Sequence, residues 1–285
     1  MPDQLQLHAF ADLWHPGVFA WLLLLQAAYL LAVGPWRSSF GWGAPVPVAR
    51  KLWFSLGLWC VYLSEGTPLH ILSERYLFSA HMLQHTLLTM VVPPLLMAGT
   101  PDWAIRPLTT IRPLMQAMRL LTRAVPALLI FNVIYSVWHM PVAYEAVLKS
   151  HTFHMFQHAV LFATAVLMWW PIASPLPELP PLHEGIQMLY IFVVGVTQLG
   201  AFALITFADE PIYRFYEEAP RVWAVIDPLT DQQIAGVVMN ILPMLIAVAV
   251  WTVMFFRWAS REGTPDLSKP ATQKPVPESG RILDQ

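Results

Sequence analysis

The sequence predicts an all-α, polytopic membrane protein: a bundle of seven transmembrane helices, with the N-terminus outside and the C-terminus in the cytoplasm. Three observations lead there. Hydrophobic residues make up 56% of the 285 and charged residues 12%, and mean hydropathy is +0.52, a balance foreign to a soluble domain of this length. Seven apolar runs approach the roughly 20 residues needed to cross a bilayer. The basic residues alternate between dense and sparse from one connecting segment to the next, as expected when Lys and Arg are retained on the cytoplasmic side.

The runs lie near 16–33, 50–64, 77–98, 124–139, 152–172, 185–208 and 232–258. The segment before the first run carries no Lys or Arg, so it lacks the basic start of a cleavable signal and the run is expected to stay as a helix. The second and fourth runs are short, and each is expected to extend by a turn into its flanking loop. Pro93 and Pro94 in the third run and Pro243 in the seventh free backbone carbonyls and predict kinks. Trp169 and Trp170, near the inner end of the fifth run, read as part of an interfacial aromatic belt. The transmembrane domain is expected over 1–259. From about 260 to 285 the chain turns to Pro, Ser, Lys, Glu and Gln, a composition that builds no core and predicts a disordered cytoplasmic tail.

With the N-terminus outside, the inner segments hold Arg37, Arg50, Lys51, Arg106, Arg112, Arg119, Arg123, Arg257, Arg261, Lys269, Lys274 and Arg281, which is twelve of the sixteen basic residues. The outer segments hold only Arg75, Lys149, Arg214 and Arg221, and the loop from 209 to 231 is acidic. The inner loop from 173 to 184 departs from the pattern, with Glu178, Glu184 and no basic residue, but acidic residues weigh little in this rule. The net charge of -2 is by itself uninformative about nucleic acid, and with neither a basic patch nor a recognition motif no such partner is expected. The single cysteine, Cys60, excludes an intramolecular disulfide or a CxxC motif and reads as a small packing residue.

The most informative pattern is a repeated word, His81-Met82-Leu83-Gln84-His85 and His154-Met155-Phe156-Gln157-His158, each at the mouth of an apolar run. Positions i and i+4 share one helical face, about 6 Å apart along the axis. Each word therefore presents two imidazoles on one stripe, and Gln84 joins the first. Polar groups of this kind inside a bilayer point to a site rather than to packing. On the predicted topology nine of the ten histidines fall on the outer side, His183 being the exception, and the third and fifth helices both run inward. Their histidine pairs then lie at similar depth in the outer leaflet. His139 ends the fourth helix on that side, and His151 opens the fifth.

Imidazole pairs of this kind suit a transition metal. Met82, Met140 and Met155 adjoin cluster histidines, and Met239 lies about two turns into the seventh helix, so thioether together with imidazole points to Cu(I). Met82 and Met155 project about 100° away from their neighbouring histidines and have packing as the rival role. A zinc protease is excluded, because Met82 and Met155 stand where His-Glu-x-x-His needs its general base. The His-His doublet usual in membrane di-iron enzymes is absent. A bis-histidine haem, with one ligand from each word, stays open, as does a copper transporter, for which Asn132, Gln198 and Asn240 are candidate inward polar groups.

The order of words over nearly the whole transmembrane region resembles a known family. His81 to His85, Pro93-Pro-Leu with Gly99-Thr-Pro101, Trp138-His-Met-Pro141 with Tyr144, His154 to His158, Trp169-Trp-Pro-Ile172, Leu189-Tyr190, Pro211-Ile-Tyr213 with Tyr216, and Asp227-Pro-Leu-Thr-Asp231-Gln232 with Ala235-Gly236 and Met239 are similar to the CtaG family of caa-type cytochrome c oxidase assembly factors. The chain departs from that pattern at Asn240 and Pro243. The resemblance implies a multi-pass bacterial plasma-membrane protein that is not an enzyme. Such a protein would bind copper on the periplasmic or exterior side, receive it from a donor there, and help deliver it to cytochrome c oxidase subunits during assembly. Carried onto this chain, it implies His81, His85, His139, His154 and His158 as metal ligands. Asp231, Gln232 and Met239 are then supporting residues, to which the pattern of the chain itself adds Met82, Met140, His151 and Met155, while His8, His15 and His70 lie outside the matching words and are candidate entry ligands.

Overall fold

In the computed structural model, residues 13–223 and 225–262 are described. His8 and nearly all of the expected tail lie outside them. No strand occurs among the described residues, and a helix stands at each of the seven apolar runs. They are α1 (Pro16–Leu31, continuing to Phe40 through a π turn at Ala32–Trp36), α2 (Val48–Glu65), the short α3 (Pro68–Arg75), α4 (Phe78–Gly99), the amphipathic α5 (Arg112–Leu121), α6 (Ala124–Trp138), the short α7 (Pro141–Leu148), α8 (His151–Ala173), α9 (Glu184–Thr206), the single-turn α10 (Arg214–Glu218) and α11 (Pro228–Glu262). Among the described residues, four segments are long and apolar enough to cross a membrane, namely 16–40, α4, α8 and α11. The pair α5 and α6, bent by 83°, makes a fifth.

The fourth apolar run thus does not extend straight into its loop. Thr122 and Arg123 leave the helix, and the chain turns into α5, whose Arg112, Gln116 and Arg119 lie on the side opposite Leu114, Met118 and Leu121. Helix α4 occupies the centre of the bundle, against α2, α3, α8 and α11, while α9 packs along α11 and α6 along α8. Exposed Trp21, Leu24, Phe192, Leu204 and Phe256 clothe the outside in apolar side chains, as a bundle in hydrocarbon requires. Gly236 lets α9 and α11 approach closely. A Cβ there would stand 2.9 Å from the Thr206 backbone.

The interior of α4 is polar, with His81, Gln84, His85, Thr86 and Thr89 all buried. A π turn at Leu87–Val91 precedes Pro93 and Pro94. Pro93 has no N–H to offer the Thr89 carbonyl one turn back. The Trp169 indole N–H of α8 donates to that carbonyl instead, at 3.0 Å. Trp169 and Trp170 are therefore not belt residues. They are 1% and 7% exposed, and the Trp170 indole donates to the Leu179 carbonyl, so both rings serve the packing between helices.

Candidate metal centre

Helix α4 brings His81 and His85 to one face, and α8 brings His154 and His158 to meet them. One ring nitrogen from each of the four lies within 4.8 Å of the other three. His81 Nε2 and His85 Nε2 are 2.9 Å apart, and His85 Nε2 and His158 Nε2 are 3.2 Å apart. Four nitrogens held about 2.0 Å from one ion at tetrahedral angles stand about 3.3 Å from each other, so the spacing matches shared coordination. Hydrogen bonding explains it less well. Three Nε2 atoms meet at His85, and a ring nitrogen offers one proton or one lone pair.

The second nitrogens of His154, His158, His81 and His139 show why their lone pairs face inward, whereas His85 Nδ1 is buried without a hydrogen-bond partner. His154 Nδ1–H donates to Glu74 Oε1 at 3.1 Å, and His158 Nδ1 lies 3.5 Å from Glu65 Oε1. Tyr216 O–H donates to the Ser73 carbonyl at 2.7 Å, which leaves its oxygen to accept from His81 Nδ1–H at 2.9 Å. His139 Nδ1–H donates to the Tyr135 carbonyl at 2.7 Å. With the proton on Nδ1, each of these rings presents Nε2 as a bare donor, the orientation that metal-ligating histidines take from such partners. The Nε2 atoms of His154 and His139 are buried and meet no protein hydrogen-bond partner.

Glu65 closes α2, and Glu74 lies in α3, whose start is capped by Thr67. Burial alone would push the Glu74 carboxyl up, but the hydrogen bond from His154 and the fields of His70, His154 and His151 outweigh it and hold the group down at about 2. His70 lies between the two acids, with Nδ1 3.4 Å from Glu65 Oε2 and Nε2 3.6 Å from Glu74 Oε1. Gln84 completes the layer. Its Oε1 accepts from Ser73 Oγ at 2.5 Å, and its amide donates to Glu65 Oε1 at 2.9 Å.

The decisive comparison covers most of the chain: the profile of the family described as cytochrome c oxidase caa3 assembly factor (CtaG) matches residues 27–261. The chain belongs to that family. No curated protein and no solved structure matches it.

In this caa3 assembly factor, four of the five histidines expected as ligands come together, and the fifth stands beside them. The His139 ring is 5.8 Å from that of His85 and outside the tight group of four. Met82 and Met239 pack in the hydrophobic core, while Met140 and Met155 are 59% and 50% exposed. His151 is exposed at the start of α8, Cys60 is half-buried on α2, and the His15 ring rests edge-on against that of His70, 5.0 Å away.

Asp231 and Gln232 act at a distance from the imidazoles. Asp231 accepts from the backbone N–H groups of Phe78 and Ser79 at 2.6 and 3.2 Å and from Ser79 Oγ, which caps the first turn of α4 from α11. Gln232 accepts from Ile212 N–H and donates to the Ile205 carbonyl, tying the end of α9 and the segment after it to α11. Sequence reasoning passed over Glu65, Glu74 and Ser73. The available signal was a pair of acids flanking His70 in the segment just before the helix of the first histidine word.

Proposed function

We propose that this assembly factor carries copper as cargo, holding Cu(I) between His81, His85, His154 and His158 and passing it by ligand exchange to a haem-copper oxidase during assembly. The observation that carries the reading is the convergence of four imidazoles, three of which, His81, His154 and His158, turn their outer nitrogens to a phenol or a carboxylate. The choice of copper rests on the oxidase that the family serves and on the affinity of imidazole for copper. The methionines add nothing to it, since two lie in the core and two are exposed. A haem fits poorly: its axial nitrogens would stand about 4 Å apart across a porphyrin, whereas across the two helices His85 Nε2 and His158 Nε2 are 3.2 Å apart, too close to admit the macrocycle.

In this reading the chain crosses a bacterial plasma membrane seven times, with α2 and α9 as the remaining spans and the N-terminus outside. The metal then sits under the outer face, within reach of a periplasmic or extracellular donor, and α5 lies along the inner surface with Arg112 and Arg119 toward lipid headgroups. The test is anaerobic Cu(I) loading of the purified protein, read by metal analysis, chelator competition against Zn²⁺ and an absorption spectrum. One copper per chain, no Soret band, and loss of copper on combining His81→Ala, His85→Ala and His154→Ala are expected. Copper retained by that triple variant, or a Soret band in the wild type, would overturn the proposal.

A further inference from the structure

The outer nitrogens of the two α8 histidines end on carboxylates contributed by a different part of the chain, and those carboxylates are themselves held in place. Glu65 takes the Gln84 amide on one oxygen and faces His70 with the other. Glu74 Oε1 faces both His154 and the far nitrogen of His70. The two acids are thus linked through one imidazole into a single layer, 18% and 23% exposed, lying over rings that are 10% and 5% exposed. Gln84 belongs to the same word as His81 and His85, so the helix that supplies two candidate ligands also braces the acid that orients a third.

We infer that Glu65 and Glu74 are positioning residues of the metal centre: each fixes one α8 histidine with its proton on Nδ1 and its Nε2 toward the ion, and the pair supplies negative charge beside a bound cation. This rests on the reading that the four histidines hold copper. The two contributions separate by substitution. Glutamine keeps an acceptor for the Nδ1–H and removes the charge, whereas alanine removes both.

Glu74→Gln should weaken Cu(I) binding by about 10-fold and Glu74→Ala by about 100-fold, the range found when such outer partners are removed from metal-ligating histidines. The specific readout is coupling. With His154 already changed to Ala, Glu74→Ala should cost no more than the about 10-fold charge loss of Glu74→Gln, while in a His158→Ala background it should keep its full effect of about 100-fold; Glu65→Ala should show the mirror pattern. Equal effects in both backgrounds, or alanine variants that bind within 2-fold of wild type, would overturn the inference. A second measurement needs no metal. Nitrogen-15 spectra of the metal-free protein should show His154 and His158 protonated on Nδ1, and His154 alone should lose that preference in Glu74→Ala. Tautomers unchanged in that variant would sink the positioning role even if copper binds, whereas altered tautomers in a wild type that binds no copper would sink only the copper reading.

Discussion

Replacing Asp231 should loosen the centre from across the bundle. Its carboxylate accepts from Phe78 N–H at 2.6 Å, Ser79 N–H at 3.2 Å and Ser79 Oγ, all in the first turn of α4, and the residue is 1% exposed. Hydrogen bonds to a charged acceptor contribute about 1.5–3 kcal/mol each, and a lost donor partner in a buried place adds its desolvation. These terms overlap, because one helix start is being capped once. Asp231→Ala should therefore cost roughly 3–5 kcal/mol, and Asp231→Asn, which keeps an acceptor oxygen, about half of that. His81 lies in the turn that is released, so copper retention should fall before the helices unfold. The assay is equilibrium unfolding in mixed micelles followed by far-ultraviolet dichroism, with chelator competition on the same samples. An alanine variant within 1 kcal/mol of wild type, or equal losses for Asn and Ala, would refute the capping argument.

Four further outcomes follow from the same contacts. His85→Ala, which removes the nitrogen between His81 and His158, should lower copper affinity at least 100-fold, whereas His139→Ala should change it less than 10-fold; chelator competition on each variant checks the contrast. Tyr216→Phe removes both the bond to the Ser73 carbonyl and the acceptor for His81 Nδ1–H, and should weaken binding by about 10-fold while helical content is unchanged. Gly236→Ala pushes a methyl group into the Thr206 backbone and should destabilise the α9 to α11 contact by about 1–3 kcal/mol, seen as a lower melting temperature in detergent. The Glu74 carboxyl titrates at about 2 in the fold against an ordinary 4.5, so the stability it adds is present above pH 4.5 and disappears as the pH falls toward 2. The melting-temperature gap between wild type and Glu74→Gln should accordingly close as the pH falls from about 4.5 toward 2.

The helices were legible because an apolar run leaves few other structures open to a chain in lipid, and the four-imidazole group was legible because i and i+4 fix a face wherever the helix sits. What stayed hidden depends on contacts between segments far apart in sequence. Asp231 caps a helix that begins more than 150 positions earlier, and no local pattern announces that. Glu65 and Glu74 lie where the chain turns between helices, without a period to mark which way their carboxylates face. Trp169 was misread as a belt residue because its partner, the Thr89 carbonyl, is freed only by Pro93 on another helix. The methionines illustrate the converse: adjacency to a histidine in sequence sent Met140 and Met155 to the outer surface of the bundle.

The bond from Trp169 to Thr89 has a consequence beyond satisfying one carbonyl. It fastens α4 to α8 about 16 Å further along α8 than His158, while the imidazoles join the same two rods near their mouths. Rods tied at a single height pivot about it; tied at two heights, they neither roll nor slide. The cage is thus dimensioned by its frame, and its nitrogens stand in place without having to be gathered by an occupant.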